Sequence, residues 1–147
     1  KKIIIFGNGG SASDSIHFAA ELSGKFKKKT RRPLAAISIS ENISTITAIS
    51  NDFRYSEIFS RQIEAIGKKG DVAIGITTSG TSQNVLEGLK ISKKKGLHTI
   101  SFIGDNKKKI LSYSDFIFSV EDNDTARIQE VHIFFIHLIC SIIDTRF

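Results

Sequence analysis

Ile3-Ile4-Ile5-Phe6 opens the chain as an unbroken apolar run and meets a glycine cluster at Gly7, Gly9 and Gly10. A run apolar at every position lacks the alternation of a half-exposed strand and reads as a strand buried on both faces, entering a tight turn. The period then changes: Ile16, Phe18, Ala19, Ala20 and Leu22 give a helix its apolar side, Ser11 or Ser13 can cap it, and Gly24 ends it. The same grammar recurs down the chain. Residues 34–39 read as a strand, 43–49 and 56–66 as helical stretches, 72–76 as a strand and 82–95 as a helix. Residues 98–103 and 116–120 are two more short apolar runs, and 125–143 have the length and composition of a long helix. Alternation of strands with helices implies right-handed βαβ crossovers. The predicted fold is therefore α/β, a doubly wound three-layer sandwich with a central parallel sheet and ligands at the carboxyl ends of its strands.

The last helix has an apolar surplus. Val131, Ile133, Phe134, Phe135, Ile136, Leu138, Ile139, Ile142 and Ile143 occupy most of its circumference, more than one buried stripe needs. In a domain this small the surplus predicts an interface between copies, the alternative being a helix central to the monomer.

Composition narrows the class. The 147 residues, 40% hydrophobic and 24% charged with a single proline, suit one domain over 1–147, folded throughout and without a linker. Lys and Arg outnumber Asp and Glu by 21 to 15, a net charge of +6 that favours anionic partners. The basic runs at 25–32, 93–95 and 107–109 read as a solvated face, and with no nucleic-acid motif beside them no nucleic acid is expected. Cys140 is the only cysteine, and its neighbours Ile139, Ile142 and Ile143 predict a buried thiol in a reducing compartment. No apolar run approaches the roughly 18 residues that span a bilayer, and no signal-peptide pattern opens the chain. A cytoplasmic protein without a membrane partner is expected.

Two loops could hold an anionic ligand. Gly7-Asn8-Gly9-Gly10-Ser11-Ala12-Ser13 lets backbone approach a ligand closely and sets amide donors at a helix N-terminus, though a plain tight turn would look the same. It is neither a dinucleotide fingerprint, which needs glycine at position 12, nor a nucleotide P-loop, which needs a lysine. Thr77-Thr78-Ser79-Gly80-Thr81-Ser82 follows a strand and precedes a helix, and its five hydroxyls in six residues exceed what one cap requires. A phosphate monoester suits it.

Two helices could hold acid, base or metal. His17 and Glu21 are four residues apart on the helix that leaves the first loop and share one face. Gln129, Ile133 and His137 form a row on the last helix that could present an amide and an imidazole to one cavity. Two histidines, a carboxylate and an amide oxygen could bind zinc, although glutamine is an uncommon ligand. The bland readings are a surface His17, a hydrogen-bonded core His137, and Glu21 paired with Lys25.

Residues 7–22 (GNGGSASDSIHFAAEL), 51–52 with Phe59-Ser60-Arg61-Gln62, 71–84 (DVAIGITTSGTSQN) and 124–137 (DTARIQEVHIFFIH) together resemble the sugar isomerase (SIS) family, most closely its phosphoheptose isomerases. That resemblance implies a flavodoxin-like SIS domain that converts D-sedoheptulose 7-phosphate to D-glycero-D-manno-heptose 7-phosphate through an enediol, feeding nucleotide-activated heptose synthesis. It assigns sugar contacts to Asn8, Gly9, Gly10 and Ser11, with further substrate contacts at Asn51 and Asp52. Phosphate falls to Thr77, Thr78, Ser79 and Ser82. His17, Glu21, Gln129 and His137 would bind zinc, Glu21 and Gln129 touching substrate as well, and Glu21 and His137 would be the catalytic pair. A homotetramer with sites between subunits is implied.

The chain departs from the family at Thr77 and Thr81, where serine and asparagine are more usual, and at 104–107, which lack extra glycines. It also begins directly on the first strand, where family members usually carry a helical segment. Two rival classes resemble the same fold: a non-catalytic protein that binds the replication initiator, and a sugar-phosphate-sensing regulatory domain. The protein-binding module has no chemical reason to keep His17, Glu21, Gln129 and His137 together, and no DNA-binding segment accompanies this domain as the regulator would need.

Overall fold

The computed structural model describes residues 1–147 and places five strands in one parallel sheet. In chain order the elements are β1 (Ile3–Gly7), α1 (Gly10–Ser23), β2 (Ala36–Ser38), α2 (Ile43–Asp52), a 3₁₀ turn (Tyr55–Glu57), α3 (Ile58–Ile66) and β3 (Val72–Thr77). They continue with α4 (Gln83–Lys94), β4 (His98–Ile103), a second 3₁₀ turn (Leu111–Tyr113), β5 (Phe116–Ser119) and α5 (Thr125–Arg146). The sheet order is β2-β1-β3-β4-β5. This is the doubly wound arrangement expected, and its order reverses between β1 and β3, which opens a crevice at the carboxyl ends of those two strands.

The continuous apolar runs are explained by the two faces. Successive strand residues point to opposite sides. Ile4 and Phe6 therefore pack with Ile58, Phe59 and Ile63 of α3 and Val85, Leu86 and Leu89 of α4. Ile5 packs with Phe18, Ala19 and Leu22 of α1 and Ile136 and Cys140 of α5 on the other side. Register holds the second layer together, with Ile5 beside Ile74 and Ile76 beside Phe102.

Local chemistry shifts several boundaries. Neither Ser11 nor Ser13 caps α1: the helix already begins at Gly10, Gly9 is its N-cap with a φ of 55°, and Ser11 is buried inside the first turn. The turn is so tight that the glycine itself makes the bend. Predicted strand 34–39 shrinks to three residues because Leu34 donates its N–H to Leu22 O (3.0 Å) instead of joining a ladder. The stretch from 56 enters through the 3₁₀ turn before α3. α5 runs three residues beyond 143, with Asp124 as N-cap accepting from Ala126 N–H at 2.9 Å.

A buried ion pair fastens α5 to the segment after α1. Arg31 Nε donates to Asp144 Oδ1 (2.7 Å), and Asp144 Oδ2 accepts from the N–H groups of Lys27 and Lys28. The Arg31 guanidinium also serves carbonyls left free at the end of α1, those of Glu21 (2.6 Å) and Leu22 (3.0 Å). Counted as a whole helix, α5 is long and apolar enough to cross a bilayer, contrary to the expectation from runs alone. In the fold it instead lays Ile128, His132, Ile136 and Cys140 against the rest of the domain, while Phe134 (63%), Leu138 (43%) and Ile142 (47%) stay exposed at i, i+4 and i+8. The helix is thus not central to the monomer, and its surplus is a stripe on the outside.

Candidate active site

β1 and β3 end side by side, so the two loops read from the sequence meet. Asn8, Gly9, Gly10 and Ser11 from the first and Thr77, Thr78 and Ser82 from the second line one cavity of about 240 Å³ with Ile76, Thr125 and Gln129. Gly10 leaves room for the Gln129 amide there. A Cβ on it would come within 2.5 Å of Gln129 Nε2, so the glutamine amide lies directly against the glycine backbone. Gly7 is held from the other side by Ser40, whose hydroxyl donates to Gly7 O (2.9 Å) and accepts from Gly7 N–H (3.1 Å).

The second loop is braced by its own hydroxyls. Thr77 Oγ1 lies 3.0 Å from Ser82 Oγ and 3.3 Å from Ser79 Oγ, and Ser79 Oγ accepts from Thr81 N–H and Thr81 Oγ1. Gly80 has a φ of 64° and packs against Asn106 O. Ser82 is the N-cap of α4 without a side-chain capping bond, which leaves amide donors of the first turn available beside the hydroxyls. Thr77, Thr78 and Ser82 face the cavity, and Ser79 shapes the loop without lining it. The arrangement suits the terminal oxygens of a phosphate monoester.

Farther along α1 a second group assembles. His17 Nε2 lies 3.1 Å from Glu21 Oε1, so Glu21 pairs with His17 and not with Lys25. The His17 and His137 rings meet edge to face at 5.2 Å, and Phe26 stacks on His137 at 5.4 Å. His137 is therefore not a lone core histidine. Asp14 stands between the cavity and this group on α1, and burial raises its carboxyl pKa, an effect that nearby His17 partly offsets. Its Oδ2 is buried without a hydrogen-bond partner.

Other expectations are corrected. Gln129 lines the cavity at Gly10, whereas His137, eight residues and about 12 Å farther along α5, lies at His17 and does not line it. No three His, Cys, Asp or Glu side chains converge as a metal site, while the His17–Glu21 pair, His137 beside it and Gln129 at Gly10 carry donor types that suit zinc. Asn51 and Asp52 sit at the end of α2, exposed and hydrogen-bonded to each other (Asn51 Nδ2 to Asp52 Oδ1, 2.8 Å), outside the cavity lining. Cys140 is buried as expected, and burial pushes its thiol up to about 12, which rules it out as a nucleophile.

Four residues of the site escaped the sequence reading. Thr125 lines the cavity from the first turn of α5, and Phe26 walls His137. Asn84 and Tyr55 hold Asn8. Only Thr125 carried a signal, since it follows Asp124 at the start of a helix that must begin at the carboxyl edge of the sheet.

Similarity to known proteins bears on these features. The family model described as SIS domain matches residues 1–104. A phosphoheptose isomerase from Helicobacter pylori strain P12 is 51% identical over 146 residues, which cover 99% of this chain and 76% of that one. A phosphoheptose isomerase from Aquifex aeolicus is 49% identical over 143 residues, covering 97% of this chain and 74% of that one. Among solved structures, the phosphoheptose isomerase of Neisseria gonorrhoeae superimposes with a TM-score of 0.91 at 42% identity over 98% of this chain and 76% of that one. With about half its residues shared along nearly its whole length, and the same fold, this chain belongs to the phosphoheptose isomerases of the SIS-domain family.

Proposed function

We propose that the chain interconverts D-sedoheptulose 7-phosphate and D-glycero-D-manno-heptose 7-phosphate through an enediol. The observation that carries this reading is the separation of the two halves of the site. The phosphate-type cavity starts at Gly10 and the histidine–carboxylate group begins at His17, seven residues and about 10 Å farther along α1. A substrate with phosphate at one end and its reacting carbons at the other needs such a spacing.

The chemistry moves one proton between adjacent carbons and one between their oxygens, so it needs a base at carbon and an acid at oxygen. With the phosphate held by Thr77, Thr78 and Ser82, Glu21 takes the proton from C1 of the ketose and returns it to C2. His137 delivers a proton to the carbonyl oxygen and recovers one from the C1 hydroxyl as the aldehyde forms. His17 steadies the Glu21 carboxylate, and Phe26 limits rotation of the His137 ring. A protein that only binds the replication initiator or senses a sugar phosphate has no use for this group.

The same proposal includes a homotetramer, because His17 is 44% and Glu21 23% exposed at the side chain and a partner subunit would shield them from water. Asn51 and Asp52 would reach substrate in that assembly. Zinc binding at His17, Glu21, Gln129 and His137 also belongs here, on donor types that suit the ion. A cytoplasmic setting suits a phosphorylated metabolite and a free thiol.

The test is incubation of the protein, after metal analysis, with sedoheptulose 7-phosphate, following aldose formation and solvent deuterium uptake by NMR. Glu21→Gln is expected to abolish both while phosphate binding survives. An active Glu21→Gln enzyme would overturn the assignment of the base.

A further inference from the structure

Asn8 lines the cavity where β1 gives way to α1, and the orientation of its side-chain amide follows from its partners. Asn84, in the first turn of α4 and 2% exposed, bonds it reciprocally: Asn8 Nδ2 donates to Asn84 Oδ1 and Asn84 Nδ2 donates to Asn8 Oδ1, each at 2.8 Å. The backbone N–H of Val85 also points to Asn84 Oδ1, at 2.9 Å. A backbone N–H only donates, so the end of Asn84 that faces it is the oxygen. The Asn84 nitrogen is then turned to Asn8, where an oxygen must receive it. The Tyr55 hydroxyl, able either to donate or to accept, is left to donate to Asn8 Oδ1 at 3.0 Å. Both lone pairs of that oxygen are thereby used, and Asn8 Nδ2 keeps one free N–H.

We propose that Asn84 and Tyr55 are positioning residues that hold the Asn8 amide with this N–H toward the substrate. At this point the site meets the sugar phosphate as a donor to one of its oxygens and not as an acceptor. The proposal rests on the reading of the first loop as a substrate site. Asn84 has a second effect. It belongs to the helix whose N-terminus carries the hydroxyl loop, so the Asn8–Asn84 pair sets the spacing between the sugar loop and the phosphate loop before any ligand arrives.

The test compares KM and kcat for sedoheptulose 7-phosphate in the intact enzyme and in Asn84→Asp, Tyr55→Phe and Asn8→Ala, with each of the first two also combined with Asn8→Ala. Asn84→Asp keeps an acceptor for Val85 N–H and Asn8 Nδ2 but sets an oxygen against Asn8 Oδ1. KM is expected to rise about three- to tenfold with a smaller change in kcat, as loss of one oriented hydrogen bond gives. Tyr55→Phe should move KM the same way by about twofold. Neither change should add to Asn8→Ala, because all three act through one amide. Tyr55 is 56% exposed, so Tyr55→Phe keeps the fold and carries the test if Asn84→Asp does not fold. Effects that add in full to Asn8→Ala overturn the proposal, as does an unchanged KM in both positioning variants while Asn8→Ala is impaired. An unchanged KM in Asn8→Ala itself is a separate failure: it removes the loop from substrate binding, and the positioning role with it.

Discussion

At Gly10 one missing carbon atom decides whether Gln129 reaches the site. The cavity wall needs backbone there because the Gln129 amide fills the space a side chain would take. The obstruction would be the far end of a flexible side chain, so Gly10→Ala is expected to leave the melting temperature nearly unchanged while Gln129 is displaced. We expect kcat/KM for sedoheptulose 7-phosphate to fall about tenfold, the scale of a misplaced positioning contact. A folded Gly10→Ala enzyme with full kcat/KM would show that Gln129 has no part in the reaction. Sequence could single out Gly10 as a turn residue and Gln129 as a possible ligand. It could not show that they touch, since 119 positions separate them and only the packing of α5 over α1 joins them.

Elements begin and end where side chains answer for free backbone groups. Asp71, just before β3, accepts from the N–H groups of Lys2 and Lys68 and pairs with the Lys2 ammonium at 2.5 Å, tying the start of β1 to the start of β3. Burial disfavours its charge, yet these bonds to Lys2 and Lys68 outweigh burial and lower its pKa from 3.8 to about 2. A carboxylate whose pKa is depressed on folding contributes stability that is full above its unfolded value and is lost as pH falls through its folded value. The enzyme should therefore lose stability as pH drops from about 4 to about 2, and Asp71→Asn, less stable at neutral pH, should show a flatter acid limb in denaturant titrations. An acid limb identical to the parent's would refute this role. The strand itself was legible from its apolar run; the carboxylate that aligns it with β1 was not, because its partner lies 69 positions away.

On the scale of the whole molecule, the stripe of Phe134, Leu138 and Ile142 is the feature that one chain leaves unsatisfied. If the proposed tetramer uses it, the double substitution Phe134→Asp with Leu138→Asp should reduce the mass measured by light scattering while far-ultraviolet circular dichroism stays unchanged, since both positions are exposed. Activity should fall with the mass if partner subunits shield His17 and Glu21. An unchanged mass would place the interface elsewhere.

Apolar periodicity and turn chemistry are local properties, and they were enough for the α/β class, the alternation of elements and the two loops at strand ends, because hydrophobic burial acts on whichever face the period exposes. Distances between elements are not local. That His17 and Glu21 lie beside His137 and apart from Gln129, that Asn51 and Asp52 stay outside the cavity, and that Asn84 orients Asn8 were decided only when the sheet order β2-β1-β3-β4-β5 set the helices side by side. The chain wrote down which groups were present, and the packing of helices on two faces of one sheet determined which of them meet.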